Sequence, residues 1–285
     1  MYKDAVLAVI FYVLVVGGID ESLAIIDGDE VKPHSMPYMA AITATIDDRP
    51  ILCGGSLIRT TLVLTSARCV YGAKEVTIVL GAHNINKNEP SQVRLTSSKF
   101  IIHPKYRHEK KLHDIALVQL ETPVKLNENI QTIELPQIDD IFTSFNEKSG
   151  IIGGWGKTKD TLTTFSPVLR STNLTIVPLI TCELGYLFSL TGDQMCTSGT
   201  SKKNFCLGDA GSPLVVDNVQ VGIASFGSDL GCEAGFPGIY TRMTSYVDFC
   251  SSTNLLRTVS THKFSSCGAA LVGAVGQSQC STCAL

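Results

Sequence analysis

From Tyr38 to Met243 the apolar residues come in short runs at close spacing, bounded by Gly, Pro, Asn and Asp, and this rhythm belongs to strands rather than helices. The first set is Met39 to Ile46, Gly55 to Ile58, Leu62 to Thr65, Val76 to Leu80, Val93 to Ile102 and Ile115 to Leu120. The second is Gly150 to Trp155, Thr172 to Val177, Gln194 to Thr197, Pro213 to Val216, Val219 to Phe226 and Gly238 to Met243. Such runs predict an all-β barrel or sandwich. The polar stretch from Gln137 to Lys148 divides the two sets. After them, Ser245-Tyr246-Val247-Asp248 has the form of a capping box and predicts a terminal helix.

A chain of 285 residues is long enough to bury a real core. Its start reads differently from the rest. Lys3 precedes the apolar run Ala5 to Val16, shorter than the ~17 residues that a bilayer span needs, and polar residues follow up to Ser22-Leu23-Ala24. Residues 1–24 therefore read as a removable signal peptide, with small residues suited to cleavage before Ile25. Loss of Lys3, Asp4, Asp20 and Glu21 with that segment moves the formal net charge from -3 to -1. Nothing in that balance points to nucleic acid. Ten cysteines behind such a leader indicate an oxidising destination and disulfides, so a secreted protein is expected, with no membrane span after signal removal.

Several short blocks carry more information than the pattern. They are Ile25-Ile26-Asp27-Gly28, Leu64-Thr65-Ser66-Ala67-Arg68-Cys69, Asp114-Ile115-Ala116-Leu117, Gly153-Gly154-Trp155-Gly156, Cys206-Leu207-Gly208-Asp209-Ala210-Gly211-Ser212-Pro213 and Pro237-Gly238-Ile239-Tyr240. Together they resemble the chymotrypsin-like serine peptidases over residues 25–257. The resemblance implies a trypsin-like fold of two packed six-stranded antiparallel β-barrels with a C-terminal helix. It also implies three disulfides, Cys53 with Cys69, Cys182 with Cys196 and Cys206 with Cys232. Cys250, Cys267, Cys280 and Cys283 remain, and four cysteines allow three connectivities. Cys280-Ser281-Thr282-Cys283 has a redox or zinc-site spacing, although a secreted tail without neighbouring ligands favours plain disulfides. Residues 258–285 form a Cys, Ser and Gly rich tail outside the resemblance.

In that family serine attacks, histidine removes its proton and aspartate orients the imidazole. The resemblance places Asp114 at the aspartate position, Arg68 at the histidine position and Ala210 at the serine position. A guanidinium has no acceptor lone pair and stays protonated, so Arg68 is no general base. Ala210 carries no nucleophilic atom. Loss of serine or histidine alone costs a related triad roughly 10^6-fold in turnover. Ser212 stands two positions along and is expected to turn its hydroxyl away. His113, next to Asp114, is expected to face the other side of an extended strand. Arg68 is expected to form a salt bridge with Asp114 in place of the histidine contact.

The resemblance further implies an oxyanion hole from the Gly208 and Ala210 amides. It places Asn204 on the floor of a specificity pocket beside Phe205, with Gly227 and Gly238 on the walls and Ser225-Phe226-Gly227 along the substrate strand. The ring of Phe205 is expected either to fill that pocket or to pack outward into the core. Ile25 and Asp209 are the implied N-terminal ion pair, exposed by the signal peptidase itself because Ala24 offers no Arg or Lys cleavage site. Asn173-Leu174-Thr175 is a glycosylation sequon. The basic run Lys105 to Lys111 reads as a solvated loop, with polyanion binding as its functional alternative. No cofactor and no metal are implied. The expected function is that of a non-catalytic serine protease homologue, not an enzyme, which binds a protease, an inhibitor or another cascade component as a cofactor, regulator or decoy, or acts as a secreted effector. The alternative is a serine-type endopeptidase.

Overall fold

A computed structural model describes residues 25–187, 189–200 and 203–252. The signal peptide, the tail and three of the four unassigned cysteines, Cys267, Cys280 and Cys283, lie outside them. Among the described residues no helix is long and apolar enough to cross a membrane.

Among the described residues fourteen strands make two sheets. The first contains β2 (Met39–Ile46), β3 (Arg49–Arg59), β4 (Leu62–Thr65), β5 (Val76–Leu80), β6 (Val93–Ser97), β7 (Phe100–Ile102) and β8 (Ala116–Gln119), in the order β6-β5-β2-β3-β4-β8-β7. The run expected from Val93 to Ile102 is thus two segments. The Ser97 hydroxyl donates to the Gln119 carbonyl at 2.7 Å and accepts from the Lys99 amide at 3.1 Å, which fixes the bend between them. β6 pairs with β5 and β7 with β8, so one bent strand supplies both edges and six strands wrap round.

The second sheet contains β1 (Asp29–Glu30), β9 (Ser149–Gly154), β10 (Arg170–Val177), β11 (Gln194–Thr197), β12 (Pro213–Val216), β13 (Val219–Phe226) and β14 (Gly238–Arg242). Its order is β1-β10-β11-β14-β13-β12-β9, and a further β9–β10 pairing closes six strands into a barrel with β1 outside. Helix α1 (Leu179–Glu183) lies between β10 and β11, and α2 (Val247–Ser252) ends the described chain with Asp248 in its first turn.

Side-chain alternation directs the packing. Along β2, Ala40, Ile42 and Ala44 enter the first barrel with Leu57, Ile78 and Val118, while Met39 and Ala41 face a second apolar layer with Trp155 and Leu169. The other barrel is filled by Ile152, Leu174, Leu214, Val221 and Tyr240. Leu64 and Leu117 of one barrel meet Ile223 and Met243 near the other, all essentially buried, each worth about 1.5–3 kcal/mol of removed apolar surface. Ser56 on β3 donates to Gln220 on β13 at 2.5 Å across the same junction. The barrels meet where the chemistry-bearing blocks emerge.

Candidate active site

Three loops converge at the junction. β4 runs into a 3-10 turn, Ala67–Cys69, and the Cys53–Cys69 disulfide ties that turn to β3. Asp114 lies just ahead of β8, and residues 206–212 lead into β12. The Ala210 carbonyl accepts from the Gly54 amide at 2.8 Å and lies 3.4 Å from Cys69 Sγ, so the Ala210 loop seats directly on the Arg68 turn. Cys182–Cys196 and Cys206–Cys232 complete the described disulfides.

Asp114 is 1% exposed. Its Oδ1 accepts from the Arg68 backbone amide at 2.9 Å and its Oδ2 from the Ser225 hydroxyl at 2.6 Å. Burial pushes its carboxyl above the usual range, opposed by those hydrogen bonds and by the nearby Arg68 charge. The expected Arg68–Asp114 salt bridge is absent. Both carboxylate oxygens are already engaged, and the longer arginine side chain reaches past them to donate from Nη1 to the Ser225 carbonyl at 2.8 Å. The guanidinium has no carboxylate partner among the described residues.

Gly208 and Gly211 take φ values of 101° and 88°. At Gly211 a Cβ would overlap Thr65 Oγ1 and the Gly54 carbonyl, so the turn has no room for a side chain. The Gly208 and Ala210 amides donate to no described group, although both residues are only half-buried. Asp209 is fully buried. Its carboxylate accepts from the Gly156 amide at 2.7 Å and the Cys206 amide at 3.0 Å, yet burial still raises its pKa to about 7. Ile25 is buried in the second barrel's core and its neighbour Ile26 donates to the Asn204 carbonyl at 3.0 Å. In the uncleaved chain Ile25 bears a peptide bond, and Asp209 has no cationic partner among the described residues.

Ser212 is fully buried, its hydroxyl pressed against Gly54 without a hydrogen-bond partner. His113 corrects its expectation in detail: its φ is 51° and β8 begins only at Ala116, so it occupies a turn rather than a strand. Its Nδ1 meets the Tyr246 hydroxyl at 2.8 Å and Asp193 Oδ2 at 2.9 Å.

Asn204 spends its amide internally, accepting from the Phe205 amide at 2.9 Å and donating to the Phe236 carbonyl at 3.1 Å. Of the two fates expected for Phe205, the ring takes the core: it joins Ile25 and meets Tyr240 edge-on at 5.1 Å, beside Gly238. A Cβ on Gly227 would touch nothing within 4 Å. Alongside Phe226, Gly227 and Ser228 runs a groove of about 850 Å³ whose other walls include Lys111, Tyr186 and Phe236. Lys111 Nζ lies 4.9 Å over the Phe226 ring, and Tyr186 packs edge-on against the same ring at 5.7 Å. Asn173 is exposed on β10.

Sequence reasoning missed Tyr186 and a reciprocal clamp between two loops beside the Cys206–Cys232 disulfide. Asp160 accepts from the Cys232 and Glu233 amides at 2.8 and 2.9 Å, and Glu233 accepts from the Asp160 amide at 2.7 Å. Partners more than seventy positions apart leave no local signal.

Known proteins share this architecture and much of the sequence. "Chymotrypsin" of Phaedon cochleariae is 38% identical over 231 residues, covering 81% of this chain and 82% of that protein. "Brachyurin" of Leptuca pugilator is 38% identical over 225 residues, 79% of this chain and 96% of that protein. A solved structure of HL collagenase superposes with a TM-score of 0.75 at 31% identity, over 81% of this chain and 98% of that one. These relatives correct the expectation that the chain is not an enzyme: it groups with proteins named as peptidases, and that kinship gives no ground for excluding catalysis. What Arg68 and Ala210 establish is narrower, namely that proton removal by position 68 and attack from position 210 are unavailable. The Trypsin family profile matches residues 25–250, and with the two barrels and the identities above, the chain belongs to the trypsin family of chymotrypsin-like serine peptidases.

Proposed function

We propose that the chain is a polypeptide-directed member of the serine endopeptidase family, taking an extended segment into the groove beside Phe226, Gly227 and Ser228. One observation carries this: the strand β13 ends in a half-buried stretch whose Gly227 has open space on its side-chain face, next to a groove of about 850 Å³. Gly227 and Ser228 follow β13 outside any strand, and the main-chain groups of such a segment can pair with an extended backbone. The resemblance sets Asn204 on the pocket floor, and its neutral, internally hydrogen-bonded amide argues for uncharged side chains there.

Serine-type endopeptidase activity is the reading that the relatives favour, on 38% identity to a chymotrypsin across most of both chains. Position 210 sets a condition on it, since the attacking atom must then come from elsewhere. Secretion and a protein partner from a proteolytic cascade fit the signal-like leader and the disulfides. The deciding experiment assays native protein and the Arg68→His/Ala210→Ser double variant against a broad peptide panel and a serine-directed phosphonate. Cleavage by native protein without phosphonate labelling supports an endopeptidase with its nucleophile off position 210. Cleavage by the double variant alone shows that the groove presents peptide to the loop and that these two positions limit the reaction. Failure of both to bind or cleave any peptide overturns the proposal.

A further inference from the structure

We propose that the cleft is a receptor for the free C-terminal carboxylate of a polypeptide. This rests on the polypeptide reading above and names the chemistry of its ligand's end. Three donor groups sit on two segments that touch each other, and among the described residues they lack acceptors. The half-buried Arg68 guanidinium spends Nη1 on the Ser225 carbonyl, and its remaining N–H groups meet no acceptor among the described residues. The Gly208 and Ala210 amides likewise donate to no group among the described residues. The Ala210 carbonyl touches the Cys69 sulfur, which brings the loop bearing both amides against the turn bearing Arg68.

The identity of the residues favours a full anionic charge over a neutral carbonyl. Asp114, the obvious counter-charge, is closed off by the Arg68 backbone amide and the Ser225 hydroxyl, so the guanidinium is held near it without being paired to it. A guanidinium is planar and binds a carboxylate through two parallel hydrogen bonds, whereas a peptide carbonyl offers only one oxygen. Ala210 carries a methyl where a serine would carry a hydroxyl, so no side-chain donor competes at that position. The hydrogen bond from Nη1 to the Ser225 carbonyl holds the fork at the residue before Phe226, and Phe226 and Gly227 line the groove that takes the last residues of the chain.

The test uses fluorescent, N-acetylated hexapeptides ending in each uncharged residue, every one made both with a free C-terminal carboxylate and as the C-terminal amide. Affinity is read by polarisation at low salt, with mass spectrometry showing that both forms stay intact. Native protein is expected to bind the carboxylate form at least tenfold more tightly. In Arg68→Gln, checked for an unchanged melting profile, that ratio is expected to fall below threefold. Equal affinity of the two forms for native protein overturns the carboxylate receptor while leaving the groove reading intact, and so does a ratio that survives in Arg68→Gln. Binding of neither form overturns the groove reading and this proposal together. Should Arg68→Gln fail to fold, the carboxylate-to-amide ratio of native protein, measured in low and high salt, decides alone: an electrostatic contact loses its preference as salt rises.

Discussion

Arg68 and Asp114 are joined through the arginine's backbone: the amide donates to Oδ1 at 2.9 Å while the guanidinium reaches the Ser225 carbonyl instead. The two side chains therefore make unequal contributions to stability. Removing the guanidinium in Arg68→Ala loses one charge-assisted hydrogen bond from a half-buried position and is expected to cost about 1–2 kcal/mol. Asp114→Ala strands the Arg68 amide and the Ser225 hydroxyl in the interior and is expected to cost about 3 kcal/mol or more. Denaturant unfolding of the two variants checks the order. A larger loss for Arg68→Ala would reinstate the salt bridge.

Gly211 is where the loop has least freedom. An alanine methyl there would collide with Thr65 Oγ1 and the Gly54 carbonyl and would need a φ of 88°. Gly211→Ala is expected to destabilise by about 3 kcal/mol or more, because one contact is backbone and cannot swing aside. A melting temperature within a few degrees of native would refute the close fit of this turn to the first barrel.

Much of the fold was legible because the strands come as short apolar runs and the turns between them carry characteristic residues. Met39–Ile46, Leu62–Thr65, Val76–Leu80 and Val219–Phe226 begin and end where those runs do. The start of β3 was not legible. Arg49-Pro50 looks like a loop, yet Ile46 pairs with Arg49 around Asp47 and Asp48, both with positive φ, in a tight two-residue hairpin usually marked by glycine. The loops of the site were legible as motifs, but not the direction of the Arg68 side chain. Its choice depends on Ser225 occupying Asp114 from 111 positions away, a relationship that no local spacing encodes.

The Cys53–Cys69 bridge closes sixteen positions of chain and anchors the turn that carries Arg68. The double variant Cys53→Ser/Cys69→Ser is expected to lose about 3 kcal/mol, chiefly by freeing the unfolded chain. Urea unfolding under non-reducing conditions measures it. The same variant should lose peptide affinity more than a double variant at Cys182 and Cys196, which staples α1 to β11 away from the Ala210 loop.

Asp209 gives the chain a dependence on pH that changes with processing. In the uncleaved chain its pKa is raised from 3.8 to about 7 by burial, so between those values the folded state binds more protons than the unfolded one. Stability then falls as pH rises through that window and is level on either side, by an amount on the order of a few kcal/mol. Asp114 is shifted in the same direction and Asp193 and Glu89 in the opposite one, so the measurement must be a difference. Asp209→Asn in the full-length chain is expected to flatten the fall between pH 4 and 7 and to be close to neutral, or stabilising, at pH 7. In a chain beginning at Ile25, a free ammonium at the buried terminus would hold the carboxylate ionised. The sign then reverses: the Asp209 contribution is kept at neutral pH and lost on acidification, and Asp209→Asn becomes strongly destabilising at pH 7 because it leaves the ammonium unpaired. Unfolding of the four proteins at several pH values decides the matter, and an Asp209→Asn effect indifferent to the new terminus would rule out the Ile25–Asp209 pair.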